Sequence, residues 1–392
     1  MVLYLIQYLP YFIVLIFILL PAILLGLQER NLNFYGLSGS FLILLIVFGS
    51  RPIQFFYLLL SFVWSALLFK AALLLAEKGR MGKGSFLLFL LLSLMPLVPK
   101  NLMLFQNLQL PVYAAVTCFS LKNIQLIACI RKGEIRDLSL GEYTGFLLFF
   151  PSLFFGPLNN IQDFHDQWTS VPSSEKYRRL MKKGIRELLL GSLYLLCIAY
   201  FTGWELQRLE NQITQEHILW HLLPLYAYLY AFHLFFVLGG LSRLASGCAC
   251  FLGVELDKNY SMPFFSGNIR EFWSRWHITF TRWLKEFVFC PFLKKAKKSR
   301  QLSCPLLRKC LAYLLTMGAL GLLYGVTPSY LLFALYHGLL LCLYEILIHK
   351  SVLYEKWKSL PLFRIFSWFF TLQLLMFGFF ILSGMFLQIC SL

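Results

Sequence analysis

Asn268-Ile269-Arg270-Glu271-Phe272-Trp273-Ser274-Arg275-Trp276-His277 interrupts a chain that is otherwise mostly hydrocarbon. The spacing predicts a short helix between membrane spans, carrying aromatic rings, fixed charges and one imidazole. At about 100° per residue, Trp273, Trp276, Phe280, Trp283 and Phe287 share an arc of about 80°, with Arg270, Glu271, Arg275, Arg282, Lys285 and Glu286 roughly opposite. His277 falls on the seam between the two faces. An imidazole there is partly desolvated and titrates near neutral pH, which suits general acid–base work. The plainer alternative is an interfacial amphipathic helix whose histidine hydrogen-bonds a carbonyl.

Outward from this stretch the composition is that of a membrane protein. Hydrophobic residues fill 59% of 392 positions and charged ones 14%, a balance that no soluble domain of this size could carry on its surface. Phenylalanine alone supplies 40 residues, so lipid-facing and inter-helix surfaces should be aromatic. The net charge of +17 collects in short segments between apolar runs: Lys78–Lys83, Arg131–Arg136, Lys176–Arg186, Lys294–Arg300 and Lys350–Lys358. By the positive-inside rule these loops should face the cytoplasm and anionic headgroups. Their position beside apolar spans argues against nucleic acid as the partner. The 10 cysteines are scattered, mostly in or beside apolar runs, without a CxxC pair, so neither a disulfide framework nor a metal site is expected.

Apolar stretches able to enter a bilayer lie near 2–27, 34–50, 53–76, 85–98, 111–130, 143–156, 187–203, 218–238, 240–254, 305–325, 328–348 and 362–387. Several are shorter than the roughly 17 residues a span requires, which predicts re-entrant or interior helices among them. The first, beginning at Val2, is too long for a signal-peptide core and reads as a retained span. The expected architecture is all-α: a polytopic integral membrane bundle of about ten or eleven spans plus re-entrant or amphipathic helices. Residues 1–392 read as one membrane domain located in the cell (plasma or inner) membrane.

Ionisable groups in such spans are costly, by about 3 kcal/mol or more when unpaired, so each is either paired or functional. Lys70, Lys122, Gln125, Glu142, His233, Arg243, His337 and Glu345 are the polar candidates, with structural pairing as the plain reading of all of them. Glu345 and His337 fall on about the same helix face, along a stripe with Tyr330, Ala334 and Leu341. A second punctuated region is Phe149-Phe150-Pro151-Ser152-Leu153-Phe154-Phe155-Gly156-Pro157-Leu158-Asn159-Asn160, where Pro151 and Pro157 interrupt a helix and Gly156 permits a sharp turn.

Taken together, Thr117–Gln125 with Gly133-Glu134-Ile135, Leu147–Ser152 through Gly156-Pro157-Leu158, and Asn268–His277 resemble the membrane-bound O-acyltransferase family. The likeness is to the branch that D-alanylates teichoic acids and covers roughly residues 110–350, with FWxRWH as its most specific motif. The resemblance implies an outer funnel meeting a cytoplasmic tunnel, with an acyl thioester passed to a hydroxyl acceptor. It also implies two histidines, one in FWxRWH, matched by His277, and one in a later G-[LI]-W-H-G element. At the second position this chain has Tyr324, with His337 on a downstream YHG element. A phenol with pKa near 10, against about 6.5 for imidazole, costs about 4–5 kcal/mol more to deprotonate, so Tyr324 is a hydrogen-bond donor before it is a base. Arg243 stands where the family has an acidic residue, and Asn159 where it has Asp.

The leading functional expectation is therefore an O-acyltransferase acting on a cell-envelope polymer. His277, His337 and Tyr324 are its candidate catalytic residues, and Trp273, Arg275, Trp276, Pro151, Gly156, Pro157 and Arg243 its candidate tunnel or motif residues. The donor would be a thioester on carrier-protein phosphopantetheine or acyl-CoA, used as substrate, with no bound cofactor or metal. Expected partners are membrane lipid, an acyl carrier protein docking from the cytoplasm on Lys176–Arg186 and Lys294–Arg300, and an extracytoplasmic acyl-transfer partner protein. The alternatives are an alginate-type O-acetyltransferase, a catalytically silent scaffold or acyl conduit, supported by Tyr324 and Arg243, and a rocking-type transporter.

Overall fold

The computed structural model describes residues 2–98, 110–135, 138–154, 156–214 and 219–391. Arg136 of the second basic cluster and Phe155 of the Pro-Gly region lie outside the described residues. The chain is all-α, with no strand among the described residues. Its helices are α1 Val2–Leu27, α2 Asn33–Phe48, α3 Pro52–Glu77, α4 Lys83–Leu94, α5 Leu110–Lys132, α6 Leu140–Leu148, α7 Phe150–Leu153, α8 Ile161–Thr169, α9 Ser174–Ser192, α10 Tyr200–Thr214, α11 Leu223–Phe251, α12 Ile269–Arg275, α13 Ile278–Leu284, α14 Cys290–Ala296, α15 Pro305–Tyr324, α16 Pro328–Lys350, α17 Val352–Trp357, α18 Pro361–Leu382 and α19 Met385–Cys390. A π-helical turn, Leu193–Ala199, joins α9 to α10. Among the described residues, seven helices are long and apolar enough to cross a membrane, and three shorter apolar ones, Val14–Leu27, Asn33–Phe48 and Lys83–Leu97, accompany them. The protein is a multi-pass membrane bundle.

Local chemistry sets the helix boundaries. Pro52, Pro305, Pro328 and Pro361 open α3, α15, α16 and α18, where the missing N–H of proline costs no hydrogen bond. Ser139 and Glu142 form a reciprocal capping box at α6, which accounts for Glu142 structurally. Two apolar stretches read separately in the sequence, 218–238 and 240–254, are largely one helix, because the Gly239-Gly240 pair does not break α11. Conversely 143–156 is not one helix: Phe149 leaves helical geometry at φ −54°, ψ 100°, and Pro151 starts a new short turn.

The chain forms two compact units, one from residues 1–193 and 240–257 and the other from 194–239 and 258–392. In the first, α5 is the core element, with 78% of its most apolar window buried. Lys122 lies there, donating to the Phe146 carbonyl at 2.7 Å and to Ser152 Oγ at 2.8 Å, its ammonium over the Phe146 ring at 4.9 Å. The Tyr177 hydroxyl ties α1 to α11, donating to the Ala22 carbonyl at 3.0 Å and the Phe251 carbonyl at 2.8 Å. In the second unit α15 and α16 run as a close antiparallel pair. A Cβ on Gly321 would stand 2.8 Å from that of Ala334, so the glycine sets the approach of the two helices.

Candidate active site

The aromatic arc inferred from helical periodicity keeps its burial but loses its helix. Trp273, Trp276, Phe280 and Trp283 are buried and Phe287 is half-buried, yet α12 ends at Arg275 and α13 begins at Ile278. Trp276 is extended, at φ −102°, ψ 125°, and His277 adopts the left-handed conformation, φ 50°, ψ 48°. The reason lies outside the motif. The Asn259 carbonyl accepts from the Ile278 N–H at 2.8 Å, and its side-chain Oδ1 accepts from the Thr279 hydroxyl at 2.9 Å and backbone N–H at 3.3 Å. Two residues on, the Ser261 N–H donates to the Arg275 carbonyl at 3.0 Å. The loop before the motif thus supplies the partners that a continuous helix would have provided, and the turn at His277 becomes affordable. Nothing in helical periodicity signals this.

The upstream end of the motif is equally well held. Asn268 caps α12 by accepting from the Glu271 N–H at 2.9 Å, and the Glu271 carboxylate accepts from the Gly267 N–H at 2.8 Å. The Gly267 carbonyl accepts from the hydroxyls of Ser367 and Thr371 on α18 at 2.7 and 3.2 Å. Arg275 forms an ion pair with Glu271 at 2.5 Å on its own helix. Trp276 packs among Tyr260, Phe264, Phe272 and Phe379, with ring centroids 5.1–6.0 Å away.

His277 faces two further rings, Tyr260 at 5.6 Å and Phe280 at 5.5 Å. Phe280 in turn stacks on Tyr324 at 5.9 Å and 22°. The structure therefore brings His277 and Tyr324 to the same aromatic recess, and adds Tyr260, which the sequence reading missed. The only sequence signal for Tyr260 was its place in the short polar stretch ahead of the motif. His277 Nδ1 has no hydrogen-bond partner among the described residues, and no carboxylate orients the ring. Packing around the half-buried imidazole pushes its pKa down to about 4, so the ring is neutral near pH 7. Burial, and next the neighbouring Tyr324, push the Tyr260 phenol up, keeping it a donor.

His337 lies elsewhere in the same unit. It is fully buried, neither ring nitrogen has a partner among the described residues, and its ring is boxed by Phe333 at 4.4 Å, Trp273 at 5.4 Å and Phe272 at 6.2 Å. Trp273 therefore faces His337, and no ring contact joins His337 to His277 among the described residues. Glu345, also fully buried, is paired with Arg270, with Lys309 at 2.5 Å and with His349 at 3.0 Å. The pairing expected for Glu345 thus reaches Arg270, inside the motif's own lead-in.

The remaining candidates belong to the first unit or to plain structure. Pro151 opens α7 and Pro157 is buried. A Cβ on Gly156 would collide with the Pro151 carbonyl, so the turn needs glycine there. Asn159 is buried, and neither of its amide atoms has a partner among the described residues. Arg243 is not a lone reversed charge: Glu187 takes it at 2.6 Å and also Arg186 at 3.1 Å. Lys70 is exposed on α3, and His233 Nδ1 lies 3.1 Å from both Thr202 Oγ1 and the Ala199 carbonyl. Among the described residues no group of three or more His, Cys, Asp or Glu side chains is arranged to hold a metal.

The sequence model of the membrane-bound O-acyltransferase family matches residues 50–385. The chain belongs to this family. This membrane-bound O-acyltransferase is 29% identical over 390 residues to a teichoic acid D-alanyltransferase of Bacillus subtilis, covering 95% of this chain and 96% of the relative. It is 25% identical over 234 residues to a probable alginate O-acetylase of Pseudomonas fluorescens, covering 58% of this chain and 44% of that one. A peptidoglycan O-acetyltransferase of Helicobacter pylori is 24% identical over 210 residues, covering 54% and 38%.

Proposed function

We propose that this protein transfers an acyl group, D-alanyl rather than acetyl, from a thioester to hydroxyls of a cell-envelope polymer, with His277 as the base. The observation that carries the reading is the left-handed turn that sets the His277 ring against the Tyr260 phenol, with Tyr324 one ring further on across Phe280. Likeness to the D-alanyltransferase over nearly its full length, against about half of the acetylases, supports D-alanyl as the group.

The chemistry follows from the side chains. His277 removes the proton of an incoming hydroxyl as its oxygen attacks the thioester carbonyl. The resulting oxyanion accepts a hydrogen bond from the phenol of Tyr324 or Tyr260. Collapse breaks the carbon–sulfur bond, and the imidazolium returns its proton to the departing thiolate, leaving an ester and a free thiol. The surrounding rings keep water from the thioester. Lys176–Arg186 and Lys294–Arg300 suit an acidic carrier protein bearing the thioester on phosphopantetheine, with coenzyme A as the competing donor. An extracytoplasmic partner protein would receive or place the acyl group.

One observation favours a second reading. Tyr324 stands where the family has an imidazole, and it is stacked on Phe280 rather than set against an acid–base partner. On that reading the protein is a silent scaffold or conduit for an acyl carrier. Purified protein in lipid nanodiscs, given radiolabelled D-alanyl carrier protein or acetyl-CoA and envelope fractions, separates the two. Label in the polymer from the D-alanyl donor, lost in His277→Ala, is the expected result. Label from acetyl-CoA alone would replace the D-alanyl assignment. No label from either donor, where the teichoic acid relative succeeds, would leave the scaffold.

A further inference from the structure

α16 touches α12 at two points two turns apart, and neither contact reaches the reacting atoms. The first is ionic. Glu345, with no exposed surface, uses one oxygen for Lys309 at 2.5 Å and His349 at 3.0 Å, and the other for Arg270, with the Tyr313 hydroxyl at 3.5 Å. The Arg270 guanidinium also lies over the Tyr344 ring at 5.2 Å. The second is aromatic: the His337 ring is wedged against Phe272, Trp273 and Phe333. A Cβ on Gly378 would collide with His337 Nε2, so α18 carries glycine where the ring needs room.

We propose that Glu345, Arg270 and His337 are positioning residues that clamp α12 to α16 and thereby fix the turn at His277. The inference deepens the acyl-transfer reading and rests on it for its activity arm. His277 owes its conformation to the junction between α12 and α13, and among the described residues its Nδ1 has no hydrogen bond to orient the ring. What holds α12 therefore aims the imidazole. His337 works here by shape. Among the described residues neither of its buried nitrogens has a partner, an arrangement that costs free energy for a polar ring and none for an apolar one. An apolar side chain of similar bulk should therefore serve in its place.

The test pairs a chemical readout with activity. Full-length protein in nanodiscs is treated with diethyl pyrocarbonate, and carbethoxylation of His277 is followed by peptide mass spectrometry, with His233 as internal reference. Loosening the clamp in Glu345→Gln, Arg270→Ala or His337→Ala should raise the His277 rate relative to His233 by about twofold or more, as local opening grows. The same variants should lose kcat by about 100-fold with little change in KM, as a misaimed group does. Arg270→Lys should recover part of both. His337→Phe or His337→Leu should keep parental labelling and transfer. Unchanged relative labelling in all three loosened variants, or an equal rise at His233, overturns the clamp. So does loss of transfer in both apolar His337 variants while His277 labels as in the parent, since the imidazole itself would then be required. If the parent protein transfers no acyl group, the proposed function fails, and the labelling arm still decides the clamp.

Discussion

His277 occupies a backbone region that costs an ordinary L-residue about 1–2 kcal/mol and that Asn tolerates far better than a β-branched residue. His277→Asn should therefore fold with near-parental thermal stability, while His277→Val should lose about 1–3 kcal/mol, both read by thermal unfolding in detergent. The depressed pKa sets a second expectation. The base acts as neutral imidazole, which is complete above its folded pKa and lost below it, so the acid limb of kcat should fall near pH 4 rather than near the usual histidine value of about 6.5. An acid limb near 6.5 would count against His277 as the base. If Tyr324 donates to the oxyanion, Tyr324→Phe should cost about 100-fold in kcat, the usual size for one lost donor. Periodicity put His277 on the seam of a continuous helix, whereas the fold sets it in a left-handed turn between α12 and α13. It could not reveal Tyr260, because a loop tyrosine is placed by hydrogen bonds to a strand of chain that only the fold brings near.

The short helices show why local pattern stops where it does. The arc of Trp273, Trp276, Phe280 and Trp283 was legible because burial selects aromatic residues whether or not the helix is continuous. The break was not, since its cause is Asn259, 18 residues before His277. Removing that cap in Asn259→Ala should destabilise the α12–α13 junction by about 1–2 kcal/mol and speed amide exchange at Ile278 and Thr279 first. The glycine facing His337 gives a sharper case. Gly378→Ala should cost about 1–3 kcal/mol by overpacking, and His337→Ala in the same chain should recover part of it, a coupling that a double-mutant cycle measures. Arg243 illustrates the opposite limit: its oddity in the sequence came from not seeing Glu187, which is 56 residues away in the chain and 2.6 Å away in the fold.

At the scale of the whole chain, composition alone placed the protein in the membrane, because a 59% hydrophobic sequence leaves few other solutions. The division of long apolar runs into helices was less legible, since Gly-Gly is tolerated in α11 and Phe149 is enough to split α6 from α7. The uneven charge gives a binding expectation. Reversing Lys294, Lys295, Lys297 and Lys298 to Glu should weaken association with an acidic carrier protein, measured by pull-down at low salt, and leave a coenzyme A donor little affected. Equal loss with both donors would point to damage beyond docking. The buried Glu345 also bears on how the chain is made. A carboxylate within an apolar helix opposes partition into lipid, by at most about 3 kcal/mol, yet Arg270 and Lys309 both precede it in the sequence. The growing polypeptide has therefore already produced two of its cations when α16 emerges, and the helix can leave the translocation machinery as an ion-paired bundle rather than alone. Reordering the gene so that α16 is synthesised before α12 should strand that helix at insertion, even though every contact of the finished protein would be unchanged.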